Sequence, residues 1–247
     1  MLTRTAASKQ QERRKMKADI KTARIVGALY VTGTVAGILS LVATGPVRNA
    51  QDYLTNVPTS ETRLVVGALC VLTMGLALAM VPVTMFPILR RHNEALALGY
   101  VVFRGGLEAA TYLAIATGWL LLAPLSQVYV QAGVLDASGF QALGTLILEA
   151  SELSSVLTIV FCLGALLFYY LLYRTKLVPR WLSGWGLIAI AAYLATGLLL
   201  MFGTITALSP ADTIPRLPLA LQEMVLAVWL IVRGFNPSAS VFGGKTV

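Results

Sequence analysis

The chain has 247 residues, 57% of them hydrophobic and only 12% charged, with a formal net charge of +8. Soluble domains carry about a quarter charged residues, so this composition excludes an ordinary soluble domain and points to the lipid bilayer. The positive charge does not point to nucleic acid. Arg4, Lys9, Arg13, Arg14, Lys15, Lys17, Lys21 and Arg24 all precede the first apolar run, with no recognition module around them. A basic flank beside a membrane span is a topology signal and a contact for anionic lipid heads.

A bilayer crossing needs about 20 apolar residues. Residues 1–22 read as a basic cytoplasmic tail, with "SKQQERRKMKADIK" a short polar helix or disordered. The first span, near 24–44, is long enough to cross, has a long basic head before it and is followed by no clear small-x-small cleavage site, so it reads as a helix and not as a secretory leader. Its Gly33 and Gly37 give a GxxxG spacing suited to close helix approach, within the bundle or in a homodimer. The second span, near 64–88, contains Pro82 and Pro87, each able to kink it. The third runs near 95–122. A long connection, 123–152, follows, and "FQALGTLILEASELSS" keeps helical character, so the fourth span (153–173) is expected to start well above the membrane. The fifth and sixth spans lie near 181–203 and 216–233, and 236–247 is a second cytoplasmic tail. The fold class is therefore all-α: an integral membrane bundle of six transmembrane helices within residues 23–235.

Lysines and arginines orient the bundle. Fifteen lie in the N-terminal tail, in the connections after spans two and four, and after span six. Only Arg48, Arg63 and Arg216 fall on the other side, and Arg104 lies inside a span. Positive charge favours the cytoplasmic face, so both termini are expected there, in a bacterial inner membrane. Tyr169, Tyr170, Tyr173, Trp181 and Trp185 cluster at the inner ends of spans four and five, where amphipathic rings are favoured.

The third span, "VVFRGGLEAATYLAIATGWLLL", carries two full charges. Arg104 and Glu108 are four residues apart and share a helix face with Val101, Thr111, Tyr112 and Ile115. Arg104 is about 15 Å into the helix at 1.5 Å per residue. A charge at that depth costs about 2.5–3.5 kcal/mol on insertion scales, so these groups are expected to face the bundle interior. Gln222 and Glu223 on the antiparallel sixth span, and Glu152 at the start of the fourth, are placed with them in the outer half of the membrane. The expected ligand-binding set is Arg104, Glu108, Tyr112, Gln222, Glu223 and Glu152. Two carboxylates facing one guanidinium leave an excess of negative charge.

Other chemistries are poorly supplied. His92 is the single histidine, so a bis-histidine haem or a histidine-rich zinc site cannot be built. Cys70 and Cys162 sit in apolar stretches without metal-site partners. There is no G-x-S-x-G elbow, and "FGGKT" lacks the first glycine of a phosphate loop, which is Ala239. No cofactor is expected.

The stretches "ARIVGALYVTGTVAGIL" (23–39), "FRGGLEAATYL" (103–113), "LSQVYVQAG" (125–133), "YRTKLVPRWLSGWGLIAIAAYL" (173–194) and "LQEMVLAVWLIVRGF" (221–235) occur in this order. In this they resemble a bacterial membrane family catalogued as domain of unknown function 4386. The resemblance implies a polytopic helical bundle, places Arg104 and Glu108 on the family's Arg-x-x-x-Glu pattern, and implies no activity. The leading expectation is a non-enzymatic membrane protein that binds or moves a small amphipathic or cationic molecule through an outward-facing Glu/Arg pocket. The alternatives are a structural or regulatory partner of another membrane protein, and an intramembrane acid–base enzyme acting on lipid through Glu108 and Glu223.

Overall fold

A computed structural model describes residues 2–48, 53–132, 137–152, 154–206 and 209–241. Six helices in it are long and apolar enough to cross a membrane: Met16–Val47, Ser60–Leu89, Glu94–Gln131, Val156–Thr175, Arg180–Met201 and Pro210–Val232. The described residues form no strand. Hydrocarbon leaves every backbone N–H and C=O to be satisfied within its own segment, and long apolar helices do that. Six crossings bring both ends of the chain to one end of the bundle, called here the terminal end. The lipid-facing surface is apolar, with Leu76 69% and Ile188 76% exposed.

The first helix is one piece from Leu2 to Arg48, 47 residues long. The basic segment therefore continues the first span without a boundary, because no glycine or proline interrupts the sequence before Gly27. Its Asp19 is buried and meets Arg91 at the turn after the second span, at 3.0 and 3.2 Å. Gly33 and Gly37 face the second span: a Cβ at either would come within 3 Å of Leu78 or of Met74 Sδ. The GxxxG spacing is thus used inside the bundle, against the second span. The second helix runs unbroken from Tyr53 to Leu89 through Pro58, Pro82 and Pro87.

The third span departs most from its sequence reading. Asn93 caps it, its side chain accepting from the Leu96 N–H at 2.9 Å. An α-helical turn, Glu94–Tyr100, then gives way to a π-helix over Val101–Leu107, and α-helix resumes at Glu108–Ala132. The Glu108 N–H bonds to the Phe103 carbonyl, five residues back. Gly105 and Gly106 lie inside this segment, where the absence of side chains eases the wider turn. The connection expected at 123–152 is mostly helical. The third helix persists to Ala132, and a separate helix, Ala137–Glu152, packs back along it. The helix of the fourth span is described from Ser154 onward. Apolar residues of these elements, Leu122, Ile147 and Leu148, meet Val47, Val57 and Leu64 at the far end.

The sixth span begins at Pro210 and not at 216. Ser209 caps it, and the helix passes through a 3-10 turn at Ile214–Arg216. Arg216, counted above in a loop, is therefore within the helical span. Lys176 ends the fourth span with φ 57°, a left-handed conformation normally given to glycine. Lys176→Gly is accordingly expected to raise stability by about 1 kcal/mol, read as a higher melting temperature in detergent. An unchanged or lower value would mean that the lysine side chain contributes contacts that offset the backbone strain.

Candidate functional site

Arg104 projects from the π-helical segment into the bundle and is 2% exposed. Its Nη1 donates to Glu108 Oε1 at 3.1 Å and lies 3.1 Å from Oε2. Its Nη2 donates to Glu223 Oε1 on the sixth span at 3.3 Å. Its guanidinium sits over the ring of Phe161 on the fourth span, 4.4 Å from the centroid. Tyr112, one turn beyond Glu108, donates its hydroxyl to Glu108 Oε1 at 3.0 Å. One guanidinium thus joins spans three, four and six.

Small residues make this approach feasible. Gly164 on the fourth span lies so close to the π segment that a Cβ there would be 3.2 Å from Arg104 Cγ, Arg104 N and Phe103 Cβ. Gly75 on the second span gives the same room to Tyr112, whose Cβ would be 2.9 Å from an added methyl. Gly105 faces the second span at Pro82, whereas Gly106 has nothing within 4 Å.

A cavity of about 170 Å³ lies against the cluster, on the side away from the terminal end. Arg104, Glu223, Tyr112, Phe161 and Tyr193 supply its polar and aromatic walls, and Leu78, Leu157 and Leu219 its apolar ones. The Glu223 side chain is 17% exposed, against 1% for Glu108. Glu223 Oε2 has no hydrogen bond among the described residues. The carboxylate presented to the cavity is therefore Glu223, while Glu108 is held behind Arg104 and Tyr112.

At the far side of the cavity Tyr193 accepts a hydrogen bond from Arg216 Nη1 at 3.2 Å, with the guanidinium 4.7 Å from its ring centroid. Arg216 Nη2 pairs with Asp212 Oδ1 at 2.5 Å. This second cluster joins spans five and six.

Of the six residues expected at the site, four meet: Arg104, Glu108, Tyr112 and Glu223. Gln222 does not join them. Adjacent residues on a helix point about 100° apart, so Gln222 and Glu223 cannot face the same group. Gln222 accepts from the Tyr169 hydroxyl at 2.5 Å and donates to the Leu182 carbonyl at 3.0 Å, tying spans four, five and six toward the terminal end. Glu152 is the last residue of the helix packed along the third span, and its side chain lies outside the described residues. The cluster lies well inside the helical spans: Arg104 is ten residues from Glu94, and Glu223 nine from Val232, about 15 and 14 Å. Phe161, Tyr193 and Gly164 were not anticipated. Each sits in an apolar run with no local signal, and only packing reveals that they enclose the same space. His92 lies in the turn between spans two and three, where burial and then the neighbouring Arg91 hold its imidazole below the ordinary value.

Among the described residues no group of three or more histidines, cysteines, aspartates or glutamates could hold a metal ion. A family profile described as "Domain of unknown function (DUF4386)" matches residues 25–234, and the chain belongs to that family. No curated protein and no solved structure matches the chain.

Proposed function

We propose that this member of the family binds, and in moving between states transports, a small organic cation in the cavity beside Glu223. The observation that carries this reading is a carboxylate well inside a helical span with one oxygen free, walled by three aromatic rings. In the cluster that borders the cavity two carboxylates, Glu223 at the cavity and Glu108 behind it, answer one guanidinium, leaving an excess negative charge that a cation would neutralise. Phe161, Tyr112 and Tyr193 add ring faces and edges suited to an alkylammonium group. The apolar walls favour a cation with a short hydrocarbon portion, which is the amphipathic part of the reading. With both termini cytoplasmic, as the distribution of basic residues favours, the cavity would lie toward the outside of the cluster.

The test is thermal stabilisation of the full chain in one detergent by a graded series from methylammonium to tetraethylammonium. The wild type is expected to be stabilised by at least one member of the series, and Glu223→Gln by none. No stabilisation anywhere in the series, or an equal shift in Glu223→Gln, would sink the proposal. Glu108→Gln is expected to keep the response, because Glu108 does not face the cavity.

A further inference from the structure

A second site lies at the terminal end, remote from the cavity just described. The turn after the fourth span and the end of the sixth span enclose a surface cavity of about 550 Å³. Lys176, Arg180 and Arg233 line it, all three exposed, and no carboxylate does. None of the three forms an ion pair among the described residues. Arg180 lies over Tyr173, 5.3 Å from the ring centroid, which orients its guanidinium without neutralising it.

This basic cavity shares Trp229 and Arg233 with a groove of about 410 Å³ along the lipid face of the sixth span. Besides those two residues the groove is lined only by Met224, Val225, Val228 and Val232. From Arg233 back to Met224 is nine residues, about 14 Å along the helix at 1.5 Å per residue. A compartment that carries three uncompensated positive charges thus opens, at Arg233 and Trp229, onto a trough whose other walls are apolar, at the level where a headgroup meets an acyl chain. Trp229 stands at the junction and packs edge-on to Trp181, 6.5 Å between centroids. Amphipathic rings are favoured at that depth.

Lys176 provides an independent sign. It holds a lysine where the backbone, at φ 57°, favours glycine. A charged side chain kept at a strained position marks a place where the side chain itself is used.

From these observations we infer that the terminal end carries a binding site for one anionic glycerophospholipid. Its phosphate would lie among Lys176, Arg180 and Arg233, and an acyl chain along Met224, Val228 and Val232. Each basic group near an anionic headgroup contributes about a fivefold preference, so three give a preference well above tenfold.

The experiment uses the full chain in detergent and phospholipids with brominated acyl chains, which quench nearby tryptophan. Brominated phosphatidylglycerol is expected to quench saturably, with half-saturation about tenfold or more below that of brominated phosphatidylcholine. The quenched signal should come from Trp229 and fall away in Trp229→Phe. Combining Lys176→Gly, Arg180→Gln and Arg233→Gln should bring the two lipids to the same curve, with a melting temperature showing the fold intact. Millimolar inorganic phosphate should not displace the lipid. The inference is overturned if the two lipids quench alike, or if phosphate competes as well as the lipid does, which would make this a simple anion site. It is equally overturned if the triple variant keeps its preference, which would place recognition on Lys17, Lys21 and Arg24 of the first helix.

Discussion

Arg104→Met is expected to destabilise the protein by about 3–5 kcal/mol, the usual loss when one partner of a buried ion pair is removed. The reason is specific to this cluster. Arg104 is the shared partner of Glu108 and Glu223, so its removal leaves two carboxylates inside the bundle with no cation. Glu108→Leu should cost less, about 1–3 kcal/mol, because Arg104 keeps Glu223 through Nη2, although its Nη1 and the Tyr112 hydroxyl both lose their acceptor. The double variant Arg104→Met, Glu108→Leu separates stability from function. It leaves Glu223 alone, and that side chain borders the cavity. If the double variant melts near the wild type, the charges are dispensable for folding, and their retention is explained by what they bind. If it melts as low as Arg104→Met, the cluster is structural, and the cavity loses its claim as a ligand site. Thermal unfolding of the four proteins in one detergent decides between them.

Gly27→Val is the second large effect expected, at about 3 kcal/mol, the upper end for overpacking a close contact. A Cβ at Gly27 would stand 2.6 Å from the Ala227 carbonyl oxygen and 2.6 Å from Ile231 Cγ1. The isoleucine could turn aside; the carbonyl belongs to the backbone of the sixth span and cannot move unless the helices part. The first and sixth helices pack together along this seam, where Val26 and Tyr30 share a core with Leu226, Ala227 and Leu230. Parting them also loosens the sixth span that carries Glu223. Gly106→Ala is the control: with nothing within 4 Å of its added methyl, it should melt within experimental error of wild type. A wild-type melting temperature for Gly27→Val would show that the seam is looser than its geometry implies.

Much of this architecture follows from residue types alone. The number of spans came from runs of about 20 apolar residues broken by charge, proline and glycine. The presence of Arg104 and Glu108 inside such a run already required an interior polar cluster, because lipid offers a charge no partner. Boundaries were less legible. The helices extend beyond the apolar runs at 2–23, 123–132 and 210–215, because polar helix costs nothing once it leaves the hydrocarbon.

What only the tertiary structure decided is which distant residues face one another. Composition and the 3.6-residue period named Glu223 and Gln222 as equal candidates; packing turned the first to Arg104 and the second to Tyr169. The π-helix at 101–107, with its carbonyl bonded five residues on, had no signal beyond two glycines. Phe161, Tyr193 and Gly164 look like any other residues of apolar helices, and they acquire a role because five helices converge around one cavity. A sequence records depth and periodicity because both are properties of a single helix in lipid. It does not record convergence, which depends on how small residues such as Gly27, Gly75 and Gly164 let particular helices meet.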